Sequence, residues 1–182
     1  MITINKILVP TDFSDSSVPG IAYAFSLAKD RQAELRIVHV LPTDVIKDQL
    51  SRGSGEGFAA AANPAAAASS GLMEDVFERK KQFVRAFVEQ RLGGLAKVAT
   101  FKPVIRYGKP VEEIIAAAKE EQCDLIVMAS RGSRLSSLLR GRVSERVARH
   151  APCPFLVIQP SAEITTENNE RVPVTLLEKW AA

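Results

Sequence analysis

The chain has 182 residues, a size that suits one domain with an appendage and a core that needs neither disulfides nor metal. Hydrophobic residues make up 46% and charged residues 25%, an ordinary globular composition, and no stretch approaches ~18 consecutive apolar residues, so no stable membrane insertion is expected. Lys and Arg total 24 against 21 Asp and Glu, and a net charge of +3 gives no argument for a nucleic-acid partner.

Ile7-Leu8-Val9 is a short apolar run closed by Pro10 and reads as a buried parallel strand. The residues before it lack the apolar core of a signal peptide, which predicts a cytoplasmic protein. Asp12 to Asp15 offers several helix N-caps, and Ile21, Ala24, Phe25, Leu27 and Ala28 form a helical stripe. Leu35 to Leu41 is a second strand, so the chain opens as βαβ with parallel strands. Residues 43–71 mix Gly and Ser with an alanine-rich run and read as a flexible, partly disordered insertion.

Leu72 to Leu92 keeps a spacing of three and four and is stopped by Gly93-Gly94. Val98 to Tyr107 is a third strand, with Pro103 arguing for an edge or a bulge. Pro110 starts a helix that runs to Gln122. Asp124 to Ala129 is the most apolar strand and is expected to be central. Arg142 to His150 is a short helix, and Pro154 to Ile158 is the fifth strand. This order predicts an α/β fold, a doubly wound five-stranded parallel sheet of Rossmann-like type, over residues 1–160. The tail, residues 161–182, carries Val172, Val174, Leu176, Leu177 and Trp180, a cluster expected to dock on the domain or on a partner subunit. The two cysteines, Cys123 and Cys153, have no metal-ligand spacing and read as buried or half-buried free thiols, in keeping with a cytosolic address.

Ligands of open parallel sheets bind beyond the carboxyl ends of the strands, where strand order switches. Those ends are Pro10-Thr11-Asp12, Val40-Leu41, Tyr107-Gly108 and Ala129-Ser130-Arg131-Gly132. The last leads to a second glycine, Gly141, before a helix. Backbone N–H groups there can cradle phosphate, with Arg131, Arg134, Arg140 and Arg142 adding positive charge. The same composition also fits a turn with solvated arginines. Neither a Walker A loop nor a dinucleotide fingerprint is present.

From Ile4 to Gln159 the chain resembles the universal stress proteins, whose fold is that of the adenine nucleotide alpha hydrolases. The resemblance rests on Lys6 to Ser14, Val38-His39-Val40, Gly108 to Ile114, Cys123 to Met128, Gly141 to Val147 and His150 to Pro154. It implies an adenine nucleotide, ATP or AMP, with Mg2+ accompanying ATP. By resemblance, Asp12 accepts from the ribose or the adenine edge, Pro10 and Thr11 line the base pocket, and Val40 packs on adenine. Ala129, Arg131, Gly132, Gly141, Arg142, Val143 and Ser144 lie along the ribose and phosphates. By residue type alone, Asp12 is also a helix N-cap and Ser144 a solvated helix hydroxyl.

The chain departs from the ATP-binding pattern of that family, Gly-x2-Gly-x9-Gly-Ser/Thr, in three places. Ala129 replaces the first glycine, only eight residues (Ser133 to Arg140) separate Gly132 from Gly141, and Arg142 replaces the hydroxyl residue. Alanine adds a methyl where backbone approaches ligand, and arginine exchanges a hydroxyl for a stronger phosphate donor. No catalytic constellation is legible, so a binding and regulatory protein of the stress response is expected rather than an enzyme. The alternatives are an interaction module of the same fold without nucleotide and a weak ATP hydrolase. The apolar strand Phe155-Leu156-Val157-Ile158 is expected to pair two subunits into a homodimer.

Overall fold

The computed structural model describes residues 3–43, 72–129, 142–159, 163–165 and 171–173. Strand β1 (Lys6–Pro10) leads through a 3-10 turn (Asp15–Ser17) into α1 (Val18–Arg31) and β2 (Glu34–Leu41). Helix α2 (Leu72–Leu92) and a 3-10 segment (Gly93–Lys97) precede β3 (Phe101–Tyr107) and α3 (Pro110–Glu120). Then come β4 (Leu125–Ala129), α4 (Arg142–His150) and β5 (Phe155–Ile158). Of the insertion, residues 43–71, all but Thr43 lies outside the described residues.

The five strands are parallel and ordered β3-β2-β1-β4-β5. Strand β1 is the middle one, which explains its unbroken apolar run. Ile7 and Val9 face α1 and α2, while Leu8 faces α3 and α4, and all three are fully enclosed. The other strands alternate in the same way. Leu35, Ile37 and Leu41 pack with Ile21, Phe25, Val84 and Val88 on one side. Val38 and Ile126 pack with Val111, Ile114 and Val147 on the other. A sheet with helices on both faces is the doubly wound α/β architecture.

Two expectations are corrected in detail. Strand β4 is interior, between β1 and β5, but the middle position belongs to β1. Strand β3 begins at Phe101 rather than Val98, because the 3-10 segment after Gly93 occupies the preceding residues. Pro103 does sit on an outer strand, where its missing N–H costs no ladder bond. Gly108 follows that strand at φ +137, a conformation closed to most side chains, and its N–H donates to the Leu41 carbonyl at 3.0 Å. A Cβ there would also meet the Glu113 carboxylate at 3.0 Å.

Ion pairs fasten α3 and the turn that follows it to β3 and its neighbour β2. Arg106 of β3 bonds Glu113 through Nε at 3.0 Å and Glu120 through both Nη atoms, at 2.6 and 3.0 Å. Arg36 of β2 bonds Glu121 at 2.8 Å. In the tail, β6 (Glu163–Thr165) and β7 (Arg171–Pro173) form an antiparallel pair. Strands of three residues fall below the length at which alternation can be read, so the sequence gives no sign of them. Val174, Leu176, Leu177 and Trp180 lie outside the described residues.

Candidate functional site

Chain order switches direction at β1. Strands β2 and β3 lie to one side of it, β4 and β5 to the other. The carboxyl ends of β1, β2 and β4 therefore border one crevice. They carry Pro10-Thr11-Asp12, Val40 and Ala129, so these five candidate residues are brought together. Arg142, Val143 and Ser144 open α4, with Val143 exposed and Ser144 half-buried. Arg131, Gly132 and Gly141 lie outside the described residues.

The Thr11 turn is held by a directional chain of hydrogen bonds. The Phe13 N–H donates to Thr11 Oγ1 at 3.1 Å. Ser17 Oγ donates to the Ser14 carbonyl at 2.7 Å, which commits its one proton. The 2.9 Å contact between Thr11 Oγ1 and Ser17 Oγ must then be donated by Thr11. The Thr11 N–H donates to the Val38 carbonyl at 2.9 Å. Thr11 is thus 6% exposed with its polar atoms engaged, and it offers a ligand shape rather than a hydrogen bond.

Asp12 is exposed. Its Oδ1 accepts from the Ser14 N–H at 3.1 Å and from Ser14 Oγ at 2.5 Å, an Asx turn. Helix α1 has Ser17 at its N-cap, so Asp12 closes the turn and not the helix.

Val40 has a different kind of availability. Residues along a strand send their N–H and C=O groups to alternate edges. The Val38 carbonyl faces β1, where it accepts from Thr11, and the Leu41 carbonyl faces β3, where it accepts from Gly108. The Val40 N–H and C=O therefore face the β1 side. The β1 ladder ends at Pro10 opposite Val38, so no β1 residue stands across from Val40. A donor and an acceptor on one residue border the crevice.

Ala129 closes β4 against α1. A Cβ on Gly20 would come within 2.8 Å of the Ala129 nitrogen and 3.3 Å of its Cβ. The methyl that distinguishes Ala129 from glycine is accommodated by a glycine in the facing helix.

Two residues at this end of the sheet went unread as site residues. His39 Nδ1 lies 2.9 Å from the Thr11 carbonyl, and the Phe13 ring covers the imidazole at 4.1 Å between centroids. Phe13 has φ +63, and its ring meets Phe83 and Phe87 of α2 edge-on at 4.7 and 5.4 Å. Burial holds the His39 pKa below its ordinary value; the Thr11 carbonyl opposes this, Lys80 adds to it, and Asp12 opposes it. The available signal was periodicity, since His39 interrupts the apolar face Leu35, Ile37, Leu41. The cysteines are free thiols, Cys123 buried and Cys153 half-buried, and burial pushes the Cys123 thiol up to about 12. Among the described residues no group of three His, Cys, Asp or Glu side chains could hold a metal ion, and no helix is long and apolar enough to cross a membrane.

Comparison with known proteins agrees with this architecture. Universal stress protein YxiE of Bacillus subtilis is 31% identical over 159 residues, which is 85% of this chain and 99% of that protein. Universal stress protein UspA from Lactobacillus plantarum superposes with a TM-score of 0.55 at 24% identity, covering 86% of this chain and 98% of that one. A universal stress protein solved in complex with cAMP gives 0.56 at 19% identity, covering 86% and 98%. Residues 3–159 match the sequence model described as the Universal stress protein family, and the chain belongs to that family.

Proposed function

We infer that the chain binds an adenine nucleotide in the crevice at the ends of β1, β2 and β4, and acts by holding it rather than by turning it over. The observation that carries this is Val40, whose N–H and C=O face the gap left where β1 ends. Adenine presents an acceptor at N1 beside a donor at N6, the complement of that pair. Guanine presents a donor at N1 and an acceptor at O6, which opposes it. Buried polar groups left unpaired cost about 1–3 kcal/mol each, so the pair discriminates as well as binds. Thr11 shapes the floor of the pocket, and exposed Asp12 stands within reach of a ribose. The family relative solved with cAMP is a protein of the same fold that holds an adenine nucleotide. Phosphate recognition falls to Ala129, Arg131, Gly132, Gly141, Arg142, Val143 and Ser144. ATP or AMP fits the base half equally, and Mg2+ would enter with ATP.

Isothermal titration of nucleotide-free protein with ATP, AMP and GTP tests this reading, together with mass spectrometry of what co-purifies. Saturable binding of ATP or AMP and not GTP is expected. Absence of heat with both adenine nucleotides would favour an interaction module without ligand.

A second reading concerns assembly and rests on Val157. It is 44% exposed on β5, an outer strand of the sheet. Outer strands with exposed apolar residues are covered or paired. We propose a homodimer through Phe155 to Ile158, with a cytoplasmic role in stress regulation. Sedimentation of Val157→Glu beside the parent chain tests it: the variant is expected to be monomeric and the parent dimeric.

A further inference from the structure

We propose that His39 is a positioning residue of this pocket: its Nδ1–H holds the Thr11 carbonyl, and through it the turn that presents Asp12 to the ligand. The inference deepens the nucleotide reading and rests on it for its effect on binding. Its structural half, the fixing of the turn, stands on geometry alone.

His39 and the turn come from different strands. The imidazole rises from β2, and Thr11 is the first residue after β1. The 2.9 Å contact between Nδ1 and the Thr11 oxygen joins them beyond the end of the β1 ladder. A carbonyl oxygen accepts, so Nδ1 carries the proton and Nε2 the lone pair in the neutral ring. Burial keeps the ring in that neutral form near neutral pH.

The turn needs such a restraint. Phe13 has φ +63, a left-handed conformation uncommon for a bulky residue, and nothing in its own chemistry favours it. Its ring lies over the imidazole at 4.1 Å and abuts Phe83 and Phe87 edge-on. His39 therefore grips both ends of the turn, Thr11 by a hydrogen bond and Phe13 by ring contact. Asp12 lies between them. If the Thr11 carbonyl is released, Asp12 samples more positions, and a ligand must order it on binding.

The donor and the ring can be separated by substitution. Asparagine places an N–H donor near the Nδ1 position but lacks the ring. Leucine restores apolar volume under Phe13 but has no donor. Full-length protein, His39→Asn and His39→Leu are titrated with ATP and AMP, and backbone amide exchange is followed at residues 12–14. Thermal unfolding confirms that each variant is folded.

The expected result is that His39→Leu binds about tenfold or more weakly, while His39→Asn stays within about threefold of the parent. Amide exchange at residues 12–14 should rise at least about tenfold in His39→Leu and less in His39→Asn. The proposal is overturned if His39→Leu protects the turn as the parent does. It is also overturned if His39→Asn loosens the turn as much as leucine, because ring packing would then be the whole effect. If the parent binds neither nucleotide, the pocket reading fails, and exchange at residues 12–14 still decides whether His39 fixes the turn.

Discussion

Gly20 in the first turn of α1 lies against the backbone of Ala129 at the end of β4, with 2.8 Å between the Ala129 nitrogen and the place a Gly20 Cβ would occupy. A flexible side chain could yield at that distance, but a strand nitrogen cannot. Gly20→Ala gains up to about 1 kcal/mol of helix propensity and loses more to the displacement of α1 from β4. A net destabilisation of about 1–2 kcal/mol is expected, read as a lower urea midpoint. Because Ala129 borders the crevice, ATP affinity should fall as well. An unchanged midpoint would show that the two elements are not in contact.

Thr11→Val keeps the shape of the side chain and removes its oxygen. The Phe13 N–H then loses its acceptor and Ser17 Oγ loses a donor. The expected cost is about 1–3 kcal/mol in chemical denaturation, with ligand affinity lowered through the turn rather than through a lost ligand bond. Thr11→Ser, which keeps the hydroxyl, should recover most of the stability. Equal losses in the two variants would point to the methyl group instead.

His39 also ties stability to pH. Its folded-state value lies below the ordinary 6.5, chiefly through burial, with Lys80 reinforcing and the Thr11 carbonyl and Asp12 opposing. Between the folded value and 6.5 the unfolded chain binds more protons than the folded one, so stability falls as pH drops through that window. Comparing urea midpoints of the parent and His39→Asn at about pH 7.5 and about pH 5.5 isolates the contribution. The parent should lose more stability than the variant on acidification. Parallel losses would contradict the assignment.

The parts of the fold legible from sequence were those with strong local patterns. Ile7-Leu8-Val9 and Leu125 to Met128 have unbroken apolar runs because helices cover both faces of their strands. Pro103 pointed to an edge or a bulge, of which the structure has the edge, and Pro110 to a helix start. The order β3-β2-β1-β4-β5 depends on contacts between distant residues, which periodicity does not carry, and so β4 looked like the centre. In the site, the strand ends were legible as places. What each residue does there was not. The engagement of Thr11 Oγ1 depends on Ser17, and the outward backbone of Val40 depends on where β1 stops. His39 needed Phe13 beside it, in a left-handed conformation that no residue type announces.

We propose that the backbone of Val40 reads the adenine edge. Amide NMR of labelled protein titrated with AMP and, separately, GMP tests it most directly. AMP is expected to shift the Val40 amide strongly, together with residues 11–14, and GMP at the same concentration to leave Val40 in place. A Val40 amide unmoved by AMP, or moved equally by GMP, would contradict it.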